Sequence, residues 1–581
     1  MPNTIDPAEL SIAAALFSSV AEEMGVTLGR TAHSPNIKER KDYSCAVFDP
    51  EGRLIAQAAH MPVHLGAMPT AVAATLPLSP LNPGDVVILN DPYLGGTHLP
   101  DITMVSPVFL DPTSVPRKPG EARPEQSGRG HPHERTERSP LPFDGRGAGG
   151  EGLIGFVASR AHQADVGGMS PGSMPLAQEL IQEGIIIPPT KLYSRGELNE
   201  GFLSLLLRNM RAPDERRGDL DAQLAAQRTG EERLRDIIER YGTARAGSLL
   251  SELMDYAERM TRAAIASVPD GDYEFEDFLD DDGITDDTVP IRVRVTIDGD
   301  SIHCDFTGSS PERPSSVNAV AAVTTSAVYY VVRCLLETMP GGDTVPANDG
   351  CFRPVSLTLP ECSVVASCPP RAVAAGNVET SQRITDVVLG ALAKALPNII
   401  PAASSGTMNN VAIGGWDTQR DRAFAYYETV GGGAGASPSS DGLDSVHTHM
   451  TNTMNTPAEA LEMTYPFRLI EYAIRRGSGG KGNHRGGDGI IRTWEFLSPA
   501  SVTLLTERRS IPPWGLNGGS PGTPGRNLLT KADVAEGFSP PQGGDTESPE
   551  PTTLPSKTNT SVQPGDRLTI ETPGAGAWGK P

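Results

Sequence analysis

Two short segments carry side chains that could bind a metal ion together. Residues 90–101 read NDPYLGGTHLPD and residues 158–168 read ASRAHQADVGG, which places His98, Asp101 and His162 within them. Two imidazoles and one carboxylate suit a divalent transition metal such as zinc, manganese or iron, and they leave coordination positions open for water or substrate.

A β-hairpin would bring these three residues together. Residues 102–110 and 153–161 are apolar runs of equal length, rich in strand-forming residues. An antiparallel hairpin returns the chain to its starting end, so His98 and Asp101 would lie beside His162. The other interpretation is a loop around Pro100 whose polar side chains merely bond the backbone. The residues alone leave both interpretations open.

A second histidine pair lies in the segment DSVHTHMTNT, residues 444–453. Alternate residues of a strand face the same side, so a strand here would point His447 and His449 in one direction. The pair could provide further ligands or a polar substrate wall. A hydrogen-bonded structural network explains the same residues nearly as well.

Two further polar segments, PANDGCFRP and GNVETSQR, are typical of loops. Within them Arg353, Glu379 and Arg383 are candidates for binding polar groups of a substrate. Surface salt bridges are the commoner use of such side chains, and the sequence does not decide between the two.

Glycine-rich stretches at 431–437 and 477–489 could bring backbone N–H groups close to an anion. Neither matches the phosphate-binding P-loop, because Lys481 is followed by Gly482 and no hydroxyl residue is available for Mg²⁺. The sequence therefore does not predict an ATP site in this chain.

Composition argues against several kinds of partner and against a membrane protein. The formal net charge of -23 makes nucleic acid and anionic membranes poor partners. Six cysteines lack C-x-x-C pairing, which predicts reduced, mostly buried thiols. The first 25 residues lack the basic start of a signal peptide, and no run of about 18 apolar residues follows. We expect a cytoplasmic protein without a membrane span.

The patterning predicts an α+β protein with several lobes. A metal-site region, residues 1–265, would hold a starting helix at 7–29, a hairpin region and a helical middle. That middle comprises segments at 177–183, 201–208 and 216–262, the last interrupted at Tyr241 and Gly242. Within the same region, residues 111–150 are predicted to be a disordered insertion at the hairpin tip, and its His131 and His133 to be non-functional.

The rest of the chain is predicted to be richer in β-structure. Residues 266–530 would form an α+β core and substrate region, with buried helices at 317–337 and 381–396 and β-rich segments from about residue 401. Residues 531–560 are predicted to be a disordered linker, and residues 561–581 a small terminal β segment.

Eight motifs occur in an order that resembles the hydantoinase B family over nearly the full length: TAHSPNIKERKDYSCAVFD, HLGAMP, NDPYLGGTHLPDI, SRAHQADVGG, PANDGCFRP, GNVETSQR, DSVHTHMTNT and RGGDG. The family includes N-methylhydantoinase β subunits, the C-terminal half of 5-oxoprolinase and the large subunit of acetone carboxylase. The resemblance implies that the whole chain is one hydantoinase B-like unit, with His98, Asp101 and His162 as metal ligands.

The resemblance also implies a division of labour. An A subunit resembling a sugar-kinase-type ATPase would use ATP and Mg to activate a lactam or hydantoin, and this B subunit would finish ring opening at its metal. The assembly would be a hetero-oligomer and, for 5-oxoproline, part of glutathione metabolism. Asp165, His447 and His449 would then assist the metal ligands or exchange protons. The alternatives are a scaffold or regulatory subunit with a structural metal, and a carboxylase subunit.

Overall fold

The computed structural model describes residues 6–58, 60–110, 152–532 and 550–581. The predicted insertion 111–150, with His131 and His133, lies outside the described residues, as does 533–549 of the predicted linker. The α-helices are α1 (Pro7–Thr31), α2 (Pro35–Lys38), α3 (Ala67–Thr75), α4 (Glu200–Arg208), α5 (Pro213–Tyr241), α6 (Thr243–Ile265), α7 (Ala321–Glu337), α8 (Ser381–Ala395) and α9 (Ala458–Thr464).

The strands fall into four sheets. They are β1 (Tyr43–Phe48), β2 (Leu54–Gln57), β3 (Val86–Leu89), β4 (Asp101–Phe109), β5 (Leu153–His162), β6 (Thr190–Ser194), β7 (Glu197–Leu198), β8 (Gly271–Leu279), β9 (Val289–Asp298), β10 (Ser301–Asp305), β11 (Val355–Thr358), β12 (Asn410–Asp417), β13 (Arg422–Glu428), β14 (Phe467–Arg475), β15 (Gly489–Phe496), β16 (Ala500–Leu505), β17 (Arg526–Thr530), β18 (Thr552–Leu554), β19 (Lys557–Val562) and β20 (Arg567–Glu571). The chain is an α+β protein, as predicted.

The first sheet contains the predicted hairpin. Its strand order is β2-β1-β5-β4-β3-β6-β7, so that β4 and β5 lie side by side near its centre. They pair antiparallel, and Asp101 is the register partner of His162. Helices α1 and α5 pack on one face and α3 on the other, so both strands are almost wholly buried. This double cover explains why their sequences are continuously apolar rather than alternating.

Helix α1 begins where the sequence predicts. The Asp6 side chain accepts a hydrogen bond from the backbone N–H of Ala8 at 3.0 Å, and Pro7 occupies the first turn. One face, which includes Phe17 and Met24, is buried in the core. Of the helices in the described ranges, α1 alone has the length and hydropathy of a membrane span, and 39% of its most apolar window is buried in the fold.

The helical middle agrees with the sequence in two of its three segments, since α4 (Glu200–Arg208) matches the helix predicted at 201–208 and α5 and α6 match 216–262. Helices α5 and α6 are separated at Gly242, whose φ of 75° suits glycine. The predicted helix at 177–183 is wrong, because only a 3₁₀ turn forms at Leu180–Gln182. There the carboxylate of Glu183 accepts hydrogen bonds from the backbone N–H groups of Val373 and Ala374, which ties this segment to a distant part of the chain.

A second lobe pairs a four-stranded sheet with two helices. The sheet has the order β11-β10-β9-β8, and α8 packs on its buried face beside α7. Strand β9 alternates buried and more exposed residues, so one face of the sheet belongs to the core and the other to solvent. Helix α7 begins at Ala321, four residues later than the sequence predicts.

The C-terminal lobe is built from two sheets, ordered β13-β12-β16-β19 and β14-β15-β20-β17-β18. The predicted boundaries are wrong here. Strand β18 and the start of β19 lie within 550–560, where disorder was expected. Strand β20 lies between β15 and β17, so residues 561–581 are an internal part of this lobe and not a separate unit. Long-range strand pairing orders segments whose local composition is polar.

One expectation about the cysteines is also wrong. Cys362 and Cys368 form a disulfide across a tight turn that brings their Cα atoms to 5.0 Å. The other four cysteines are free, as predicted, and Cys45, Cys304 and Cys351 are buried.

Candidate metal centre

The hairpin places the three predicted ligands at one edge of the first sheet. Asp101 begins β4, His162 ends β5, and His98 lies in the turn that precedes β4. All three residues are at most 2% exposed. The three side chains therefore lie together, as expected from the hairpin that the two apolar runs predict.

Their nitrogen and oxygen atoms form a small triangle. His98 Nε2 lies 3.1 Å from His162 Nδ1, and Asp101 Oδ1 lies 3.2 Å from each of them. Ligand–metal distances of about 2.0–2.2 Å require donor separations of about 2.8–3.6 Å in octahedral or tetrahedral geometry. The triangle has these dimensions, so the three side chains fit a single transition-metal ion.

Hydrogen bonding does not explain the triangle as well as a cation does. A proton on both facing nitrogens would set two N–H groups against each other. A proton on only one of them would leave the other nitrogen's lone pair against the Asp101 carboxylate. One cation satisfies all three lone pairs at once.

The second carboxylate oxygen of Asp101 is fixed by two residues that the sequence reasoning missed. His64 Nε2 lies 3.2 Å from Asp101 Oδ2, and the Thr97 hydroxyl donates to the same oxygen at 2.5 Å. His64 Nδ1 in turn lies 2.8 Å from Ser44 Oγ. His64 belongs to the HLGAMP motif and Thr97 precedes His98, so both were visible as motif members but not as neighbours of Asp101.

Electrostatics favours an ionised Asp101 beside neutral His64 and His162. Burial opposes ionisation of Asp101, yet attraction to His98 and His64 and hydrogen bonds from His162 and His64 hold its pKa well below the usual value. Burial lowers the pKa values of His64 and His162, despite the neighbouring carboxylate. Neutral imidazole and ionised carboxylate are the forms that bind metals.

Tyr427 fixes the orientation of His162. The two rings stack with centroids 4.2 Å apart and planes 18° from parallel. The Tyr427 hydroxyl donates to Asn410 Oδ1 at 2.6 Å, and Asn410 Nδ2 donates to Glu379 Oε1 at 2.8 Å. Because His162 Nε2 has no hydrogen-bond partner among the described residues, ring stacking takes over the orienting role that a hydrogen bond usually has at metal-bound histidines.

A small cavity of about 10 Å³ lies beside the triangle. Such a volume is about enough for one water molecule. It is lined by residues from seven separate parts of the chain: Asp42, Met61, Val63, His64, Asp101, His162, Asn377, Val378, Met408, Tyr427 and Thr429.

Glu379, expected in a loop, lies on a π-helical turn, whereas Arg383 lies on α8, within the helix predicted at 381–396. Both are fully buried. Glu379 accepts the backbone N–H of Met408 at 3.1 Å, and burial together with the negative charge of Glu507 raises its pKa to about 8. Gly376 lets this turn pack directly against the backbone of Asn318, because a Cβ there would lie 1.8 Å from the Asn318 carbonyl oxygen.

Arg353 and Asp165 have local partners in the described structure. The Arg353 guanidinium lies 2.8 Å from Asp255 and 2.9 Å from Glu258, both on α6. Asp165 is buried and accepts hydrogen bonds from the backbone of Gly167 and Gly172 and from Arg211, so it organises the loop after β5. Their predicted substrate and proton-transfer roles stay predictions.

His447 and His449 do not share one face of a strand, as the sequence suggested. Residues 447–456 form no strand, and His449 itself has a positive φ of 57°. His447 Nδ1 lies 3.4 Å from the Thr451 hydroxyl, whereas His449 packs edge-on against Tyr330 and lies 3.8 Å from Asp386. The two imidazoles therefore have different surroundings.

Burial of His449 leads to a pH-dependent stability. Its pKa is lowered by burial from 6.5 to about 4. The unfolded chain takes up this proton below pH 6.5 and the folded chain only below pH 4, so stability is lost as the pH falls between these values. Relative to His449→Gln, the wild type should lose about 3 kcal/mol of unfolding free energy from pH 7 to 4.

Urea unfolding of both proteins at several pH values checks this expectation. The comparison with His449→Gln is needed because Glu379 and Asp386, whose burial raises their pKa to about 8, change stability with the opposite sign. If the difference in unfolding free energy between wild type and variant does not change with pH, the pKa of His449 is the same in the folded and the unfolded chain, which would contradict the expectation.

Comparison with known proteins relates this chain to one protein family. The sequence profile of the hydantoinase B/oxoprolinase family matches residues 6–115 and 123–581. An uncharacterised protein of Methanocaldococcus jannaschii is 37% identical over 570 residues, which cover 97% of this chain and 89% of that protein. The 5-oxoprolinase 1 of Arabidopsis thaliana is 37% identical over 608 residues, which cover 99% of this chain but 42% of the plant protein.

Solved structures show the same fold. The ATP-dependent caprolactamase from Pseudomonas jessenii aligns with a TM-score of 0.82 at 28% identity, covering 100% of this chain and 92% of that one. An acetone carboxylase structure aligns with a TM-score of 0.81 at 20% identity over 99% of this chain and 76% of its own, which shows a shared fold. The chain belongs to the hydantoinase B/oxoprolinase family.

Proposed function

We propose that this chain is the metal-bearing B component of an ATP-dependent enzyme that hydrolyses a cyclic amide. The triangle of His98, Asp101 and His162 carries the proposal, because its three donors fit one divalent metal such as zinc, manganese or iron. When bound, such a metal supplies Lewis-acid polarisation of an amide carbonyl and activation of water. The substrates named by the relatives, a caprolactam and 5-oxoproline, are cyclic amides.

The ATP-using step is assigned to a partner. Neither glycine-rich stretch matches a P-loop, whereas the caprolactamase is ATP-dependent. This chain spans 42% of the plant 5-oxoprolinase, which leaves more than half of that protein for other tasks. We therefore assign ATP and Mg to an A-type ATPase subunit in a cytoplasmic hetero-oligomer, and we assign ring opening to the metal centre here.

The chain's own residues hold and orient this centre. His64 and Thr97 fix one oxygen of Asp101, and Tyr427 holds the His162 ring. We propose His447 and His449 for proton exchange with the substrate, because burial keeps both neutral and each has one nitrogen without a partner in the described structure. Asp165 supports the loop after β5.

Assembly and turnover assays on His162→Ala test the proposal. The chain and its ATPase partner are supplied with ATP and, in turn, 5-oxoproline, hydantoin or caprolactam. We expect the variant to assemble like the wild type and to lose turnover. Loss of assembly together with turnover would favour a scaffold carrying a structural metal. Ring opening by this chain alone, without ATP or partner, would contradict the division of labour.

A further inference from the structure

Two cysteines and one carboxylate outside the candidate metal centre lie close enough together to share a metal ion. The Sγ atoms of Cys362 and Cys368 and a carboxylate oxygen of Glu312 all lie within 4.8 Å of one another. The two cysteines form a disulfide, and Cys362 is exposed, so a reductant in solution can reach it. Once reduced, two thiolates and a carboxylate are a ligand set that zinc accepts, with water as the fourth ligand.

The turn that carries the two cysteines is held by hydrogen bonds as well as by the disulfide. Ser363 and Ala366 exchange two backbone hydrogen bonds across it, at 3.2 and 3.1 Å. The backbone N–H of Val364 donates to the carbonyl of Ser310 at 3.0 Å, which ties the turn to a neighbouring segment. Because these bonds do not involve sulfur, the two thiols of the reduced chain are expected to stay side by side.

Glu312 is fixed at both ends of this turn. Its backbone N–H donates to the carbonyl of Cys362 at 3.0 Å. Its carboxylate oxygen Oε2 accepts from the backbone N–H of Cys368 at 3.1 Å and from the Ser367 hydroxyl at 3.3 Å, and Oε1 accepts from the Arg371 side chain at 2.9 Å. An ionised carboxylate offers about four lone-pair sites, so Glu312 can bind a cation and keep these three hydrogen bonds.

The charges of the reduced site favour a divalent cation. Two thiolates and the Glu312 carboxylate carry three negative charges, and the Arg371 guanidinium that pairs with Glu312 supplies one positive charge. A divalent ion brings the total to zero. Thiolate sulfur selects zinc over magnesium or calcium, which prefer oxygen ligands.

We propose that Cys362, Cys368 and Glu312 form a second zinc site that exists only in the reduced chain. A dithiol in solution transfers two electrons and two protons to the disulfide, which breaks into two thiols while the dithiol closes into its own disulfide. Zinc then binds both sulfurs as thiolates and releases two protons to solvent. The cytoplasm, where we place the chain, keeps thiols reduced, so the zinc-bound form is expected there. The site does not depend on the proposed amide hydrolysis.

Calorimetric titration of the full-length His98→Ala chain with zinc tests this site, because that background lacks one ligand of the triangle. After reduction with a phosphine, we expect one zinc per chain, and none at this site before reduction. Cys362→Ser or Cys368→Ser should lower the zinc affinity at least about 100-fold. Glu312→Gln, which keeps a hydrogen-bond acceptor, should lower it about 10-fold. Cys334→Ser is the matched control, since Cys334 is a free cysteine on α7.

Cadmium identifies the ligands in the same samples. Its thiolate charge-transfer absorption should appear with the reduced chain and be absent from both cysteine variants. Without metal, the reduced variants should unfold at the same temperature as the reduced parent, which separates loss of a ligand from loss of the fold. Equal zinc affinity before and after reduction, or in the reduced parent and Cys362→Ser, would overturn the site. Wild type purified without reductant keeps the disulfide, so its metal content reports the triangle alone.

Discussion

Replacement of His98 by alanine is expected to remove the bound metal and to lower turnover at least about 100-fold, while the chain stays folded. His98 contributes one of three donors to the triangle, and its other ring nitrogen, Nδ1, has no hydrogen-bond partner in the described structure. Two remaining donors bind a divalent ion far more weakly than three. Inductively coupled plasma mass spectrometry should give about one zinc, manganese or iron per wild-type chain and almost none in His98→Ala.

A chelator experiment links this metal to stability. Because a ligand that binds only the folded state stabilises it, EDTA should lower the unfolding temperature of the wild type and leave that of His98→Ala unchanged. His303→Ala is the control, since His303 lies in β10 and, among the described residues, hydrogen-bonds only Ser356 and Thr358. Equal metal content in wild type and His98→Ala would remove the metal centre from the proposed function.

The proximity of the three candidate ligands could be predicted because their positions depend on local pattern. Two strand-forming runs of equal length predict a hairpin, and the ends of a hairpin bring His98, Asp101 and His162 together whatever the rest of the fold does. The break at Gly242 was visible for the same reason, since a glycine followed by a renewed helical pattern ends one helix and allows another to begin.

The residues around the ligands could not be predicted in this way. Tyr427 comes from β13 and Asn377 from a turn before α8, and both reach the centre only through packing between lobes. The strand expected around His447 fails because nearby Ser445 and His449 both have positive φ. Such positions are fixed by long-range contacts that no spacing rule contains.

Arg383 is also positioned by long-range contacts, and its substitution is expected to weaken the fold strongly. Its guanidinium lies 3.1 Å from Asp277, 3.4 Å from Asp386 and 3.5 Å from Glu507, and all four side chains are buried. Arg508 and Lys557 complete this network, which joins the second lobe to the C-terminal lobe. Burial of the whole network favours a structural role for Arg383, and the substrate-binding role suggested by the sequence stays a prediction.

Arg383→Met is therefore expected to lower the unfolding free energy by about 3–5 kcal/mol, because it removes one of the three cations that neutralise the buried carboxyl groups of this network. Urea unfolding measures this loss. Arg353→Met is the matched control: its ion pairs are at the surface and should contribute at most about 1 kcal/mol. The folded fraction of Arg383→Met should retain the wild-type KM. An unchanged stability with a raised KM would instead return Arg383 to the substrate site, since only a side chain that contacts substrate changes binding without weakening the fold.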